Sequence, residues 1–505
     1  MKLRSRKGRP EAGDGKPRRR SRPVSDRAFF NFDLMYQLSY LSVIAGARVP
    51  RSQIFKRAAQ LSGGPAEYFR RVERTRSALG CDYAKSCRIV GEAAGQDDMK
   101  ALLLRLSSSL VSGEPEADFM FREADARLSL FNNEYERDLE SLKQWTDAYV
   151  SLIISAVVVI IIGVLSSMIW KLATSVILGL MGLSVGVTVL GAWLIYLLSP
   201  REIVIGRPIG SREQKLVRKL LMVFVPLAVV VAVLLFVTGT NVGWIFMAVG
   251  VVLFPIGFVS NSDDRKVSRR DAEIGPFVRS LGGAAAAIGT TVRDALGRLD
   301  LGAVNVLKPE VRRLNTRLRS GIRPRLCWQK FVEETGSEVA KRSVTMFYDV
   351  VEMGGEPEEA GYRASLYASK LAMLRAKRKT VSLPFRWLSI AMHAAVSALL
   401  VFIFEVVATF GEMVARAQES MPDLGSTPMA TSFNTFNYSG VDVMQYMIVP
   451  LVLVFTVSNA LAPSVADGGS RCKFFYNLAI NAVISGVWLA TLPGMANTLF
   501  ESVQR

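Results

Sequence analysis

The sequence predicts an all-α, polytopic membrane protein carrying two helical-bundle modules in water. Three observations predict it. Seven apolar stretches nearly free of charge are each long enough for a helix to cross about 30 Å of hydrocarbon. Between the fourth and fifth lies a long basic segment too polar to sit in lipid. Outside the apolar stretches, apolar residues recur at spacings of three and four, and β-branched alternation is scarce.

Composition narrows the classes. Lys and Arg number 62 against 44 Asp and Glu, giving a formal charge of +18 over 505 residues. Such a balance would ordinarily raise nucleic acid as a partner. With half the residues hydrophobic, it is better read as basic loops on the inner side of a membrane, in contact with lipid headgroups. The four cysteines show no C-x-x-C spacing and the chain has a single histidine, so no zinc site is expected and the thiols are expected to be reduced.

Taken in order, residues 1–28 form a basic tail with eleven Lys or Arg up to residue 27. It has too little apolar surface to offset ordering entropy and is expected to be disordered, with no signal peptide. Residues 29–147 read as a first helical module, with helices near 32–45, 51–62, 66–79, 82–94 and 96–111 and a long one from 116 into the first span. Breaks are expected at Gly46, Gly63-Gly64-Pro65, Gly80, Gly95 and Gly113. Residues 148–259 hold spans 148–170, 172–198, 220–237 and 243–259, two hairpins of which the first turns around Lys171. Residues 260–386 form the second module, and 387–505 hold spans 387–409, 443–462 and 474–497 with a loop at 410–442.

The second module repeats the texture of the first. Val43-Ile-Ala-Gly-Ala-Arg-Val-Pro matches Leu318-Arg-Ser-Gly-Ile-Arg-Pro, and Val90-Gly-Glu-Ala-Ala-Gly matches Val351-Glu-Met-Gly-Gly, each copy preceding membrane helices. Basic residues crowd 199–219 and the run Lys370, Arg375, Lys377, Arg378, Lys379, Arg386, whereas 410–442 has only Arg416. The positive-inside rule then puts the modules and N-terminus in the cytoplasm and the C-terminus outside, in the cell membrane.

Ile89-Val-Gly-Glu-Ala-Ala-Gly-Gln-Asp-Asp-Met, followed by Leu102–Leu106, resembles the Gly-Glu-x-x-Gly stretch of type II secretion F-like domains. Two such modules with membrane hairpins, together with Asn459-Ala-Leu-Ala-Pro and Ala466-Asp-Gly-Gly, are similar to the membrane platform proteins of archaeal flagella and archaeal type IV pili. The resemblance covers most of the chain beyond residue 30. It departs in the basic tail and at Glu352-Met-Gly-Gly. What it implies is a platform without enzymatic activity or cofactor. The modules would dock a cytoplasmic hexameric secretion ATPase, and the membrane part would meet pilin-like filament subunits leaving the bilayer, with a homodimer compatible with this role.

Docking candidates follow from the charge pattern and from those motifs. They are Arg70, Arg71, Arg74 and Arg76 on one helix; Gly91, Glu92 and Gly95; Arg312, Arg313, Arg317 and Arg319; and Glu352, Gly354 and Gly355. Each also has an internal reading, as a solvated helix face, a cap or an ion pair between helices. Within the membrane, Gly182 and Gly186 form a G-x-x-x-G pattern expected to pack the first hairpin, with a second protomer as the less favoured reading, and His393 is expected to make an interhelical hydrogen bond.

No G-x-x-x-x-G-K-[ST], G-x-S-x-G or H-E-x-x-H occurs, so a chemical step on ATP would need another chain. The rival readings are a repeat-built secondary transporter, against which the absence of charge at span centres argues, and a membrane-bound signalling scaffold. The mechanical expectation is that a motor moves the helices leading into the first and fifth spans relative to one another.

Overall fold

The computed structural model describes residues 27–169, 174–200, 202, 204, 210–289, 291–300, 302, 304–419 and 441–504. Residues 1–26 of the basic tail, the turn at Lys171, Arg201, Arg207 and most of the 410–442 loop lie outside the described residues. Among the described residues there is no β-strand, and seven helices are long and apolar enough to cross a membrane.

The first six helices are α1 (Arg27–Gly46), α2 (Arg51–Gln60), α3 (Gly64–Leu79), α4 (Tyr83–Glu92), α5 (Asp97–Ser112) and α6 (Glu116–Ile169). Their ends agree with the sequence breaks within a few residues, because local chemistry sets them. The Asp82 carboxylate accepts from the Lys85 amide at 3.0 Å to start α4, and Gly113 ends α5 in the left-handed conformation. Buried Phe32, Met35, Tyr40 and Leu41 of α1 form a core with Phe69, Leu103 and the membrane-proximal part of α6.

Then come α7 (Thr174–Leu198), α8 (Arg212–Val237) and α9 (Val242–Ile288). The helix of the fourth span does not end with the apolar stretch at Val259: α9 continues to Ile288 through Pro255 and Pro276. Its distal half keeps Val267, Ile274, Phe277, Val278, Leu281 and Ala285 buried, so packing continues past the membrane edge. Short helices α10 (Val292–Arg298), α11 (Lys308–Arg319), α12 (Pro324–Thr335) and α13 (Glu338–Glu352) follow. The long α14 (Pro357–Glu419) then leads to α15 (Val441–Asp467), a 3-10 turn at Arg471–Lys473, and α16 (Phe474–Gln504).

The helix order corrects the internal pairing read from the sequence. In both groups a long helix, α6 or α14, is the sixth, and it packs along the first, α1 or the distal half of α9. Counted back from that helix, the Glu352 turn corresponds to the α5–α6 junction at Gly113, not to the α4–α5 junction at Glu92. Likewise the Gly321 turn between α11 and α12 corresponds to Gly80, not to Gly46. Short Gly-containing motifs mark helix ends of any kind, so they aligned junctions of the same chemistry but different order.

Helix α9 is the spine of the membrane part, packing against α8, α14 and α16. Gly243, Gly250 and Gly257 lie seven residues apart on the face toward α16. A Cβ built on each would come within 2.3–2.8 Å of α16 backbone at Gly486 to Ala490, Ala479 or Tyr476. Lipid supplies no hydrophobic drive for helix pairing, so such backbone proximity provides the contact. The Gly182 and Gly186 pattern does not pack the first hairpin: a Cβ on either meets nothing within 4 Å. The hairpin instead closes at Gly163, whose added Cβ would reach Leu180 at 2.5 Å.

Replacing Gly250 with Leu should therefore destabilise the detergent-solubilised protein by about 1–3 kcal/mol or more through overpacking. Gly182→Leu should stay within about 0.5 kcal/mol. Thermal unfolding of the two variants side by side checks both.

Candidate functional site

Three of the long helices leave the membrane and enter the helical groups without a break, and where they do so the chain buries a dense set of charges. Arg375, Arg378 and Lys379 occupy one face of α14 at spacings of three and four. Glu202 follows α7 with its side chain 4% exposed. Asp264 and Asp271, seven apart, continue on α9 the heptad of Gly243, Gly250 and Gly257.

Arg375 bridges two carboxylates, donating from Nε to Glu202 at 2.8 Å and from Nη1 to Asp271 at 2.5 Å. Asp271 also accepts from the Ser337 hydroxyl, whose oxygen in turn caps α13 by accepting from the Ala340 amide. Tyr135 of α6 donates to Glu202 at 3.0 Å. Burial alone would raise the Glu202 carboxyl, but Arg375 and Arg378 outweigh it and hold the group below its ordinary value.

Arg378 performs a different task. Its guanidinium donates to the carbonyls of Ala466 (2.9 Å), Val465 (2.9 Å) and Pro200 (2.8 Å) and to the Ser199 hydroxyl (2.6 Å). One buried cation thus satisfies the C-terminal ends of two membrane helices, α7 and α15, which carry unpaired carbonyls and partial negative charge. Close by, Asp264 accepts from Lys379 at 2.9 Å and from Lys473 at 3.0 Å, and Lys473 also pairs with Asp467.

The segment Ala466-Asp467-Gly468-Gly469, which carried part of the family resemblance, is the clasp of this hub. Gly468 and Gly469 take φ of 71° and 80°, and a Cβ on them would strike the Arg378 guanidinium at 2.6 Å and the Asp264 carboxylate at 2.0 Å. Glycine fits both the left-handed backbone and the lack of space. The other motif residue, Asn459, lies deeper in a polar cluster among four helices. It accepts from Tyr149 at 3.0 Å and sits 3.3 Å from His393 Nδ1, while His393 Nε2 lies 2.9 Å from the Ser485 hydroxyl.

A second junction ties the two helical groups to each other. Arg342 of α13 donates to Asp33 of α1 at 2.6 Å and lies over the rings of Phe32 and Tyr36 at 4.4 and 4.6 Å. Tyr40 donates to Asp349 at 2.8 Å. Burial raises the Asp33 and Asp349 carboxyls above their ordinary values in spite of these partners.

The docking candidates divide among these settings. Arg70 donates to Glu67 at 2.9 Å and to the Ala59 carbonyl at the end of α2 at 3.1 Å, so it is an internal cap. Arg71 and Arg74 are exposed, 3.9 and 3.6 Å from the same Glu67, and Arg76 lies 3.7 Å from Glu73. Glu92 pairs with Arg88 on an exposed face, Gly91 is buried where α4 crosses α5, and Gly95 meets open space. Arg313 and Arg317 both pair with Glu334 of α12, while Arg312 and Arg319 are exposed. Glu352 lies 3.8 Å from Arg57 and a Cβ on Gly355 would touch Ala47, so both face the first helical group; Gly354 has open space. The charges read from the sequence as topology signals, Arg375 and Arg378, are instead the buried core of the hub, which composition counts do not reveal because they ignore depth. The Asp264 and Asp271 partners were legible in principle, as acidic residues on the heptad of an apolar helix.

No family model matches the chain, and no solved structure matches it. Flagella accessory protein J of Methanocaldococcus jannaschii is 23% identical over 443 residues, 84% of this chain and 75% of that protein. Flagella accessory protein J of Methanococcus voltae is 22% identical over 430 residues, 82% of this chain and 75% of its own. The chain is similar over most of its length to flagella accessory proteins. That likeness covers the archaeal flagellar part of the sequence resemblance, whereas the type II secretion F-like domains are matched by no family model.

Exchanging Arg375 for Gln leaves Glu202 and Asp271 buried beside a neutral side chain and should cost about 3–5 kcal/mol. The pH dependence has a definite sign. A carboxyl lowered in the fold contributes stability that is complete above its unfolded pKa and lost as pH falls through the folded value. The advantage of the parent over Glu202→Gln should thus be full near neutrality and shrink below about pH 4, as thermal unfolding across a pH series would register.

Proposed function

We propose that this chain is the membrane platform of an archaeal-type filament assembly machine, an archaellum or related type IV pilus. In this reading residues 29–147 and 260–386 are two cytoplasmic modules that dock a hexameric secretion ATPase. The spans 148–259 and 387–505 meet pilin-like subunits in the cell membrane, with the N-terminus inside and the C-terminus outside.

The observation that carries the reading is mechanical. Helices α6, α9 and α14 each run unbroken from a water-soluble helical group into the membrane, and the Arg375–Arg378 hub fastens them to the ends of α7 and α15. Movement imposed on the helical groups therefore reaches the membrane helices without a flexible link. Likeness over most of the chain to two proteins named flagella accessory protein J supports the same role, and the basic runs before the third and fifth spans support the orientation.

The chain does no chemistry in this account. A partner motor hydrolyses nucleotide, and a conformational shift follows only if the motor's states contact the modules differently. The exposed cations Arg71, Arg74, Arg312 and Arg319 are the part of the candidate set free to meet an acidic motor face. Arg70, Glu352 and Gly355 are held internally.

Co-purification tests the reading. The full chain should retain its assembly ATPase, and the combined Arg71→Glu, Arg74→Glu, Arg312→Glu and Arg319→Glu variant should retain at least tenfold less at low salt, since charge reversal on a docking face slows association and raises dissociation. Undiminished retention by that variant, with its melting temperature unchanged, would overturn docking through these faces.

A further inference from the structure

A cleft of about 630 Å³ opens where α8 begins and α9 has left its span, walled by α11 and the end of α12. Seven basic and three acidic side chains line it. Most of the acidic charge is already spent: Glu213 pairs with Lys266 at 2.8 Å, Glu310 with Arg270 at 3.0 Å, and Glu334 with Arg313 and Arg317. Arg212, Lys215 and Arg269 remain on the rim, exposed and with no carboxylate within ion-pair distance among the described residues.

Its position fixes the solvent it meets. Lys215 lies five and Arg212 eight residues before the apolar run that starts at Leu220, and Arg269 ten beyond Val259, where the fourth span was read to end. At 1.5 Å per residue these distances are roughly 7–15 Å from the hydrocarbon edge, at and beyond the outer face of a headgroup layer about 5–7 Å thick on each side, toward which long Lys and Arg side chains extend. Leu216, next to Lys215, is exposed, and little of the span that follows in α8 is fully buried, so an acyl chain has a free apolar wall beside the cations. The floor holds Arg270, 6% exposed, whose Nε has no acceptor. It also holds Glu310, one of whose carboxylate oxygens is without a donor, so the attraction for an anion comes from the rim.

We propose that this cleft binds the phosphate of an anionic phospholipid headgroup, through Arg212, Lys215 and Arg269. Basic pockets beside membrane helices at this depth gain about 1 kcal/mol per cation from an anionic surface. The bound lipid bridges Arg212 and Lys215 of α8 to Arg269 of α9, beside the hydrogen bond from Gln214 to the Gly336 carbonyl at 3.2 Å that already joins the start of α8 to the turn after α12. This inference needs membrane insertion alone and does not depend on the motor.

The test uses the full chain in nanodiscs and vesicles of phosphatidylcholine, with and without phosphatidylglycerol. Phosphatidylglycerol should raise the melting temperature and be retained on native mass spectrometry. In the combined Arg212→Gln, Lys215→Gln and Arg269→Gln variant, its affinity should fall on the order of tenfold or more. A variant of equal charge loss elsewhere, Lys56→Gln, Lys85→Gln and Lys100→Gln, all exposed on the first helical group, should keep the parent's affinity. Equal loss in the two variants would overturn a specific site, as would no preference of the parent for phosphatidylglycerol. Stabilisation by inorganic phosphate as large as that by the lipid would also overturn it, making the ligand a soluble anion.

Discussion

The architecture depends on a positive charge that cannot be removed from where it sits. Arg378 is buried at the membrane edge and spends its donors on the carbonyl ends of α7 and α15. A buried cation is costly unless paired and fully hydrogen-bonded, and a helix end in that setting is costly unless capped. Each offsets the other. Arg375, one turn earlier on the same face, neutralises Glu202 and Asp271 in the same way. The consequence is rotational: α14 cannot turn about its axis without uncapping two spans and stranding two carboxylates at once.

Helix α9 shows how one stripe of sequence serves two media. Its positions 243, 250 and 257 are glycine where the helix runs through lipid, and 264 and 271 are aspartate where it emerges. In the membrane, close backbone contact is the available attraction between helices. At the edge, the same stripe meets Lys379, Lys473 and Arg375, and charge-assisted hydrogen bonds replace it. A seven-residue repeat drifts only slightly around a straight helix, so one face can track α16 and then the base of α14. Farther out, Gly275 and Gly282 let α14 backbone approach, a built Cβ on them lying 2.5 Å from Ser369 Oγ and 2.3 Å from the Pro357 carbonyl oxygen.

How much of this was legible depended on whether the signal was local. Helix ends such as Asp82 and Gly113 follow from capping and left-handed turns, and apolar runs such as 220–237 from hydropathy, so both emerge from the residues concerned. The Gly182–Gly186 pattern failed because glycine spacing states what could approach, not what does; the strict heptad of Gly243, Gly250 and Gly257 was in plain view and was the true seam. Arg375 and Arg378 were counted for their sign alone. Their partners lie more than a hundred residues away at Glu202 and Asp271, and only tertiary structure shows that a charge run flanking a span is buried. Of the docking candidates, exposure separates Arg74 from Arg70, two residues that no periodicity argument distinguishes with confidence across a single turn of α3.

These contacts constrain the movement a motor could impose under the platform reading. Independent displacement of the first and fifth spans would require α6 to slide on α14. Tyr135 of α6 meets Glu202, which Arg375 of α14 holds, and Lys377 of α14 reaches Glu136 of α6 at 2.9 Å. Farther from the membrane, Arg342 and Tyr40 pin α1 to α13. Two separate junctions along the same pair of helical groups leave little freedom for one group to shear past the other, because packed interfaces change between discrete arrangements, not by continuous slippage. Helix α8 is held differently: it packs on α9 with little of its span fully buried, and at its start Gln214 donates to the Gly336 carbonyl at 3.2 Å and Glu213 pairs with Lys266 at 2.8 Å. Under the platform reading, force entering either helical group would be shared among α6, α9 and α14, because the same buried charges hold all three.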